Sequence, residues 1–180
     1  MNFEIPETFT EDRILLHFGA VDQIAKVMVN GVTVGRHTGG YLPFSFDITE
    51  TVKKGVSNQL LVEVKDTLDR TYPYGKQTKK RGGMWYTPVS GIWQNVWMEN
   101  VPAAYIEKVV MTPDLSGVNV KLEIRESQGC RDANEVPGNE LTGFKAAIKL
   151  DNGQVLIQQF AGTEGRIDLS GHNPRLWSMD

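Results

Sequence analysis

The sequence WYTPVSGIWQNVW at residues 85–97 contains three of the four tryptophans in this 180-residue chain. Tryptophan rarely clusters without a packing or a ligand reason. Residues 92–99 alternate in the manner of a β-strand, which puts Trp93 and Trp97 on one face with polar residues between them. At roughly 3.3 Å per residue, the two indoles would lie about 13 Å apart. Such a face is typical of a surface that contacts a carbohydrate or another domain.

The clearest local signal upstream is the pair Asn30-Gly31. This pair is preferred in two-residue type I′ β-hairpins because both central positions require a positive φ. With that turn, Val29 pairs with Val32 and Val27 pairs with Val34. Because all four valines then share one face, the sequence predicts a hairpin in this register.

Other segments alternate apolar and polar residues with the period of two that is typical of strands, and none shows a sustained helical period. They lie at 14–18, 44–48, 60–65, 118–124, 144–150 and 154–160. A long connection at 67–91 is rich in Gly, Pro, Lys and Thr, and loops of this length are often functional. Val101-Pro102-Ala103 reads as a boundary, so the sequence predicts two all-β units in tandem.

Charge and composition exclude several classes of protein. The net charge is −3, and the short basic run Lys79-Lys80-Arg81 reads as a solvated loop rather than a nucleic-acid site. No apolar run approaches the roughly 20 residues of a membrane span, and the first residues do not resemble a signal peptide. The single cysteine, Cys130, excludes an intrachain disulfide but fits a cytoplasmic or a secreted protein equally. We expect neither a nucleic-acid nor a membrane partner, and the compartment stays open.

Motifs for catalysis or metal binding are weak. His17, His37 and His172 are scattered and lack the spacing of a zinc site. Ser90-Gly91 lacks the Gly-x-Ser-x-Gly elbow of a serine hydrolase. No helical pattern follows the glycine-rich pieces, so they read as turns and not as phosphate-binding loops. The residues therefore predict no cofactor.

Asp66 and Asp69 form the remaining acidic pair. Two carboxylates held about 5–10 Å apart can act in glycoside hydrolysis, and their oxygens could hold a structural calcium. No calcium-loop signature accompanies them, and closely spaced aspartates in loops commonly form and cap turns. We interpret this pair as turn-forming and expect no metal site.

The strongest constellation is aromatic, because flat rings stack on the C–H faces of sugars while amides and carboxylates bind hydroxyls. Trp93 and Trp97 are interpreted as packing against neighbouring strands or a neighbouring domain. Trp85 and Tyr86, at the end of the long connection, have the better claim on a ligand. The polar residues that accompany these rings are Asp66, Asp69, Lys76, Gln77 and Asn95.

These motifs, taken in order, resemble the N-terminal sugar-binding-type domain of glycoside hydrolase family 2, the β-galactosidase, β-glucuronidase and β-mannosidase group. The resemblance spans residues 13–99 and rests on LLHFGAVD (15–22), VNG with VGRH (29–37), GGYLPFSFDIT (39–49), GKQ (75–77) and the 85–97 stretch. Residues 104–180 are similar to the family's second domain, an immunoglobulin-like sandwich. Their best marker is Leu176-Trp177-Ser178.

The resemblance implies a galactose-binding-domain-like jelly-roll β-sandwich at 1–102, followed by an immunoglobulin-like β-sandwich at 103–180. It also implies that the first strands of the jelly-roll and the last strands of the second sandwich are missing from this chain. In the family, a (β/α)₈ barrel carries the catalytic glutamates. We therefore expect a non-catalytic N-terminal fragment, inactive alone, that scaffolds a barrel in the same polypeptide.

In the family, the first domain can send a loop to the sugar pocket of the barrel, and the loop that matches by position here is 66–91. The resemblance implies a substrate-contact role for six of its residues: Asp66, Asp69, Lys76, Gln77, Trp85 and Tyr86. The implied partners are a carbohydrate, in the context of the parent enzyme, and the catalytic barrel. Open sheet edges at the missing strands also predict self-association into a homo-oligomer.

Two alternatives stay open. The aromatic residues at 85–97 also suit a self-sufficient carbohydrate-binding module. A structural or adhesion β-sandwich has only the β architecture in its favour, and fold alone does not give function. Sugar identity and linkage are not encoded in any motif of the chain.

Overall fold

The computed structural model describes residues 1–80, 82–126 and 143–172. Within these ranges every regular element is a β-strand, so no helix is present there that could cross a membrane. The chain divides into two compact units, Met1–Ala103 and Ala104–Asp180. The all-β prediction is confirmed. Arg81, residues 127–142 with Cys130, and the Leu176-Trp177-Ser178 marker lie outside the described residues.

Unit 1 is built from antiparallel strands in two main sheets and one short ribbon. The sheet orders are β1-β7-β4-β5, β6-β2-β9 and β3-β8. The strands are β1 (Asn2–Phe3), β2 (Arg13–Phe18), β3 (Val21–Asp22), β4 (Ile24–Val29), β5 (Val32–Thr38), β6 (Phe44–Asp47), β7 (Asn58–Lys65), β8 (Gly91–Ile92) and β9 (Val96–Val101).

The two main sheets of unit 1 enclose a single apolar core. Alternate residues of β2 and β4 point inward, including Phe18, Val27 and Val29, which are fully buried. Leu60 of β7 and Ile48, which directly follows β6, complete the contact between the sheets. The period-two pattern is the pattern of burial in β4, as expected for a sandwich, whereas β2 also buries Leu15.

The hairpin predicted at Asn30-Gly31 is confirmed. Both residues have positive φ, 50° and 83°, as a type I′ turn requires. Val29 pairs with Val32 in the predicted register, and the next pair joins Met28 to Thr33.

The predicted pair between Val27 and Val34 is wrong. The register shifts by one residue beyond Met28, so that Val27 pairs with Gly35. The shift places glycine beneath the ring of Phe46, where an added Cβ would lie only 2.1 Å from a ring carbon. The β-bulge thus makes room for the Phe46 ring of the opposite sheet.

The continuous strand predicted at 92–99 is also wrong. Ile92 of β8 pairs with Val21, and Val96 of β9 pairs with Phe18. Three residues on one side, 93–95, therefore oppose two on the other. One extra residue reverses the alternation. Trp93 and Trp97 consequently do not form one aromatic face.

Unit 2 contains a three-stranded sheet in the order β10-β11-β14 and a two-stranded sheet, β12-β13. Its core includes Val120, Leu122 and Ile167 from the first sheet, with Phe144 and Phe160 of the second sheet packed against them. The strands are β10 (Ala104–Asp114), β11 (Gly117–Glu126), β12 (Gly143–Lys149), β13 (Val155–Ala161) and β14 (Glu164–Asp168). Neither β10 nor β14 is among the strands that the alternating pattern predicts, and β14 is only five residues long.

A charged cluster closes the β10–β11 hairpin of unit 2. The Arg166 guanidinium donates from both terminal nitrogens to the Asp114 carboxylate, at 2.8 and 2.9 Å. Asp114 Oδ1 also accepts hydrogen bonds from the backbone and hydroxyl of Ser116. These bonds, above all those from Arg166, hold the pKa of Asp114 well below its usual range.

Candidate functional site

A cavity of about 270 Å³ lies in unit 1 beside the start of β8. Its walls come from β3, the segment between β5 and β6, the long connection after β7, and the start of β8. Several of these residues are exposed, so the cavity is accessible from solvent. Its lining residues are Asp22, Gly40, Tyr41, Gln77, Val89, Ser90, Gly91 and Trp93.

Trp93 forms the aromatic wall of this cavity. Its indole Nε1–H donates a 2.8 Å hydrogen bond to the carbonyl oxygen of Gly40. The ring of Tyr41 meets the indole edge-on, with 6.0 Å between centroids and 74° between planes. Although its polar atom is satisfied, 52% of Trp93 remains exposed. The indole is thus fixed in orientation while part of its surface stays available to a ligand.

Asp22 supplies the acidic group. Burial, and after it the negative charge of Asp66, raises the pKa of the Asp22 carboxyl above its ordinary value. A Cβ on Gly40 would lie 2.7 Å from Asp22 Oδ1, so a glycine is needed for this close approach. None of the described residues donates a hydrogen bond to the Asp22 carboxylate, and Asp22 lines the cavity.

Gln77 fastens the two arms of the long connection to each other. Its Oε1 accepts a 2.7 Å hydrogen bond from the Val89 backbone, and its Nε2–H donates to the Tyr74 carbonyl at 3.0 Å. Next to it, the Tyr86 N–H donates to the Lys76 carbonyl at 2.9 Å. These contacts give the irregular segment a defined shape without a regular strand.

Asp66 and Asp69 act as turn caps. Asp66 Oδ1 accepts the Leu68 N–H at 2.8 Å, and Asp69 Oδ1 accepts the backbone and hydroxyl of Thr71, each at 2.9 Å. The Thr71 hydrogen bonds lower the pKa of Asp69. Within the described part of the chain no group of three or more His, Cys, Asp or Glu residues is arranged to hold a metal ion.

Lys76, Trp85 and Tyr86 lie at the outer part of the same connection. Tyr86 is 65% exposed and Trp85 46%. The Lys76 ammonium lies 5.9 Å from the centroid of the Tyr86 ring, within cation–π range. Of the six residues predicted to contact substrate, only Gln77 lines the cavity, whereas these three project from the loop.

Trp97 occupies a different surface. It stacks on His17 of the neighbouring strand, with centroids 4.9 Å apart and planes 10° from parallel. The His17 Nδ1 lies 2.6 Å from Ser45 Oγ, and Nε2 lies 3.2 Å from the Glu99 carboxylate. Trp97 is still 46% exposed. Trp93 and Trp97 thus each contact a neighbouring segment of unit 1 and keep about half of their surface exposed, and packing of that surface against a neighbouring domain stays a prediction.

Sequence reasoning missed Asp22, Gly40 and Tyr41 as functional candidates. Asp22 ends the 15–22 motif and the other two lie in the 39–49 motif, but no local pattern gives any of the three a role. The missing signal is their proximity to Trp93, which is 53 residues from Gly40 in sequence. Together these groups can bind a small polar ligand with one flat apolar face, the chemistry of a sugar ring.

Comparison with known proteins agrees with this geometry. Residues 1–102 match the profile described as "Glycosyl hydrolases family 2, sugar binding domain". The chain belongs to glycosyl hydrolase family 2. The resemblance inferred from the motifs is confirmed, and unit 1 contains the family's sugar-binding domain.

Two relatives found by sequence are enzymes much longer than this chain. The β-galactosidase of Thermoanaerobacter pseudethanolicus is 34% identical over 114 residues, which is 63% of this chain and 15% of that protein. The β-glucuronidase of Felis catus is 28% identical over an alignment that covers 96% of this chain and 28% of that protein.

Solved structures give the same picture. A β-glucuronidase of an uncultured Clostridium superposes with a TM-score of 0.69 and 27% identity over 98% of this chain, which is 29% of that structure. A Lactobacillus rhamnosus β-glucuronidase superposes with a TM-score of 0.68 and 25% identity, again over 98% of this chain and 29% of that structure. The chain thus spans less than a third of the length of these relatives.

Proposed function

We propose that this chain is the non-catalytic N-terminal portion of a family 2 glycoside hydrolase that acts on β-glucuronides or β-galactosides. The support comes from a difference in length. The uncultured Clostridium β-glucuronidase aligns with 98% of this chain, but the alignment covers only 29% of that structure. Units at 1–102 and 103–180 would be a jelly-roll and an immunoglobulin-like sandwich. In the longer enzyme they would scaffold a catalytic barrel.

The long connection after β7 would contribute to the sugar pocket of that barrel. The single observation that carries this role is the structure of the loop. Gln77 fixes its base through two hydrogen bonds, while Trp85 and Tyr86 stay exposed at its outer part. Neighbouring exposed aromatic rings on a defined loop are typical of a surface that contacts a ligand or a partner. Trp85, Tyr86 and Lys76 are therefore the residues proposed to reach substrate.

A chimera tests this role. The chain would replace the matching N-terminal region of the uncultured Clostridium β-glucuronidase, and hydrolysis of 4-nitrophenyl β-D-glucuronide would be measured. We expect the isolated chain to be inactive and the chimera to be active. Trp85→Ala and Tyr86→Ala in the chimera should raise KM or lower kcat, while Trp97→Ala, on another surface, should leave both unchanged. Hydrolysis by the isolated chain, or a loop whose variants have no effect, would refute the proposal.

A self-sufficient carbohydrate-binding module is the second candidate, and the cavity at Trp93 favours it. In that case the isolated chain would bind a sugar with one clear stoichiometry. Calorimetric titration with galactose, glucuronate and lactose separates the two functions. Weak or absent heat supports the scaffold, whereas tight binding by the isolated chain supports the module.

A further inference from the structure

The cavity beside Trp93 has the composition of a site for one sugar ring. Its 270 Å³ fall just below the range of about 300–1,000 Å³ that holds drug-sized ligands. This volume suits a single pyranose rather than an oligosaccharide. The indole of Trp93, the acidic residue Asp22 and the hydroxyl-bearing residues Tyr41 and Ser90 line this small space.

The platform is preorganised. Because the Trp93 indole N–H is already bonded to Gly40, and Tyr41 packs against the ring, the indole does not have to lose rotamer freedom when a ligand stacks on it. Side-chain ordering is one of the larger costs of forming a small-molecule complex. A fixed indole with 52% of its surface exposed avoids much of that cost.

The electrostatics select among sugars. Asp22 lines the cavity, and the negative charge of Asp66, which does not line it, adds to the negative field at Asp22. The cationic groups of the described loop do not line it: Lys76 lies over Tyr86 instead. Since no cation is among the described lining residues, the Asp22 carboxylate repels an anionic ligand, whereas its oxygens can accept hydrogen bonds from sugar hydroxyls.

We propose that this cavity, with Trp93 as stacking platform and Asp22 as hydroxyl acceptor, binds a single neutral hexopyranose and discriminates against hexuronates. The inference deepens the sugar-binding assignment of unit 1. It does not depend on a catalytic barrel, because the described residues that line the cavity all belong to unit 1.

The test is a titration of the ¹⁵N-labelled chain, followed through its indole N–H signals. The probes are methyl β-D-galactopyranoside, methyl β-D-glucopyranoside and sodium D-glucuronate, added up to about 100 mM, well above the Kd of a weak millimolar ligand. Trp93→Phe identifies the Trp93 signal. We expect this signal to move with at least one neutral hexoside and at least about tenfold less strongly with glucuronate, as a like charge at short range requires.

Matched variants complete the experiment. Trp93→Ala should weaken binding of the neutral hexoside at least tenfold, while Trp97→Ala, which removes an equally exposed indole from another surface, should not change it. Asp22→Asn should weaken the neutral hexoside and remove the discrimination against glucuronate. Dispersed spectra verify that each variant is folded.

Three results overturn the proposal: a Trp93 signal that no hexoside moves, tighter binding of glucuronate than of both hexosides, or equal loss with Trp97→Ala. If no sugar moved the Trp93 signal, while the isolated chain stayed inactive and the chimera stayed active, only the cavity proposal would be refuted. Hydrolysis by the isolated chain would instead remove the proposed scaffold function.

Discussion

The indole N–H of Trp93 donates a 2.8 Å hydrogen bond to the carbonyl oxygen of Gly40, across 53 residues of sequence. The same glycine lets the Asp22 carboxylate approach, because an added Cβ would lie 2.7 Å from Asp22 Oδ1. One residue without a side chain therefore sets the distance between the aromatic and the acidic wall of the cavity. The two walls are coupled through the backbone rather than through contact with each other.

Gly40→Ala should disturb the cavity more than it disturbs the fold. The new methyl group meets the end of the Asp22 side chain, which can rotate away, so we expect Tm to fall by no more than a few degrees. The Trp93 indole signal should move and neutral-sugar binding should be lost. Gly171→Ala is the matched control, since a Cβ there meets nothing within 4 Å. An unchanged indole signal in Gly40→Ala would contradict this coupling.

Asp22→Asn should stabilise the protein at neutral pH. The pKa of Asp22 is raised in the folded chain, chiefly by burial. Its ionised form is therefore disfavoured by folding, so the associated stability is present below the unfolded pKa of 3.8 and is lost as pH rises through the raised value. Removing the charge should raise Tm at pH 7 but not at pH 3.

Thermal unfolding of Asp22→Asn at both pH values measures this effect. Asp151→Asn, at an exposed turn in unit 2, is the control and should leave Tm unchanged at either pH. A variant that binds sugar less well but unfolds at a higher temperature would show that Asp22 is kept for its ligand at the expense of stability. A lower Tm of Asp22→Asn at pH 7 would show instead that the ionised Asp22 carboxylate stabilises the folded protein.

The parts of the fold that the sequence predicts are those that depend on neighbours in the chain. The hairpin at Asn30-Gly31 follows from two positive φ values, and the alternating strands follow from burial on one side. The shift at Val27 does not, because it depends on Phe46 from the opposite sheet. No local pattern contains that contact.

The candidate site likewise depends only in part on local sequence. The loop residues at 66–86 stand out by composition, and the family resemblance marks them. The local sequence does not reveal the broken alternation at 93–95. It arises because the opposing segment has only two residues, Gly19 and Ala20, against these three. Their backbone bonds to Asn95 and Trp93 turn the indole toward Gly40.

Gln77→Ala should loosen the long connection without unfolding unit 1. The substitution removes the side-chain bonds to Val89 and Tyr74, of which each contributes about 1 kcal/mol. Local opening then becomes easier, and hydrogen exchange of the Val89 amide should accelerate by roughly fivefold or more while Tm changes little.

Gln77→Glu separates the two bonds, because a carboxylate still accepts from Val89 but cannot donate to the Tyr74 carbonyl. It should give an intermediate exchange rate. Gln158→Ala, an exposed glutamine of β13, is the control. Equal Val89 exchange in wild type and Gln77→Ala would show that the arms are held by other contacts.

Asp114→Asn should weaken unit 2 only above the acid range. Hydrogen bonds from Arg166 and Ser116 lower the pKa of the folded Asp114 carboxyl. Its contribution is therefore present above the unfolded pKa of 3.8 and is lost as pH falls toward the lowered value. We expect a Tm lower by a few degrees at pH 7 and a smaller difference near pH 2.

Because the Asp114 cluster is exposed, salt should screen part of this difference. Thermal unfolding of wild type and variant at low and high ionic strength measures it. A difference between wild type and Asp114→Asn that grows as pH falls would reverse the sign of this argument.

Self-association should occur through the outer edge of β7. The Leu60 N–H and C=O bond to Met1, and β1 pairs only with Asn58 and Gln59. By the period of two, the amides of Val62 and Val64 face the same edge, and no described strand pairs with them there. The other edge of that sheet, β5, carries a bulge that discourages pairing.

Light scattering over a concentration series should therefore show dimers at high concentration. Val64→Pro removes the outward amide hydrogen and should return the protein to a monomer. Val64→Thr keeps that amide and is the matched control, with thermal unfolding to verify that both variants fold. Because a strand needs several unpaired amides to dock, loss of one should weaken the dimer at least tenfold. A clean monomer at millimolar wild-type protein would exclude this edge as an interface.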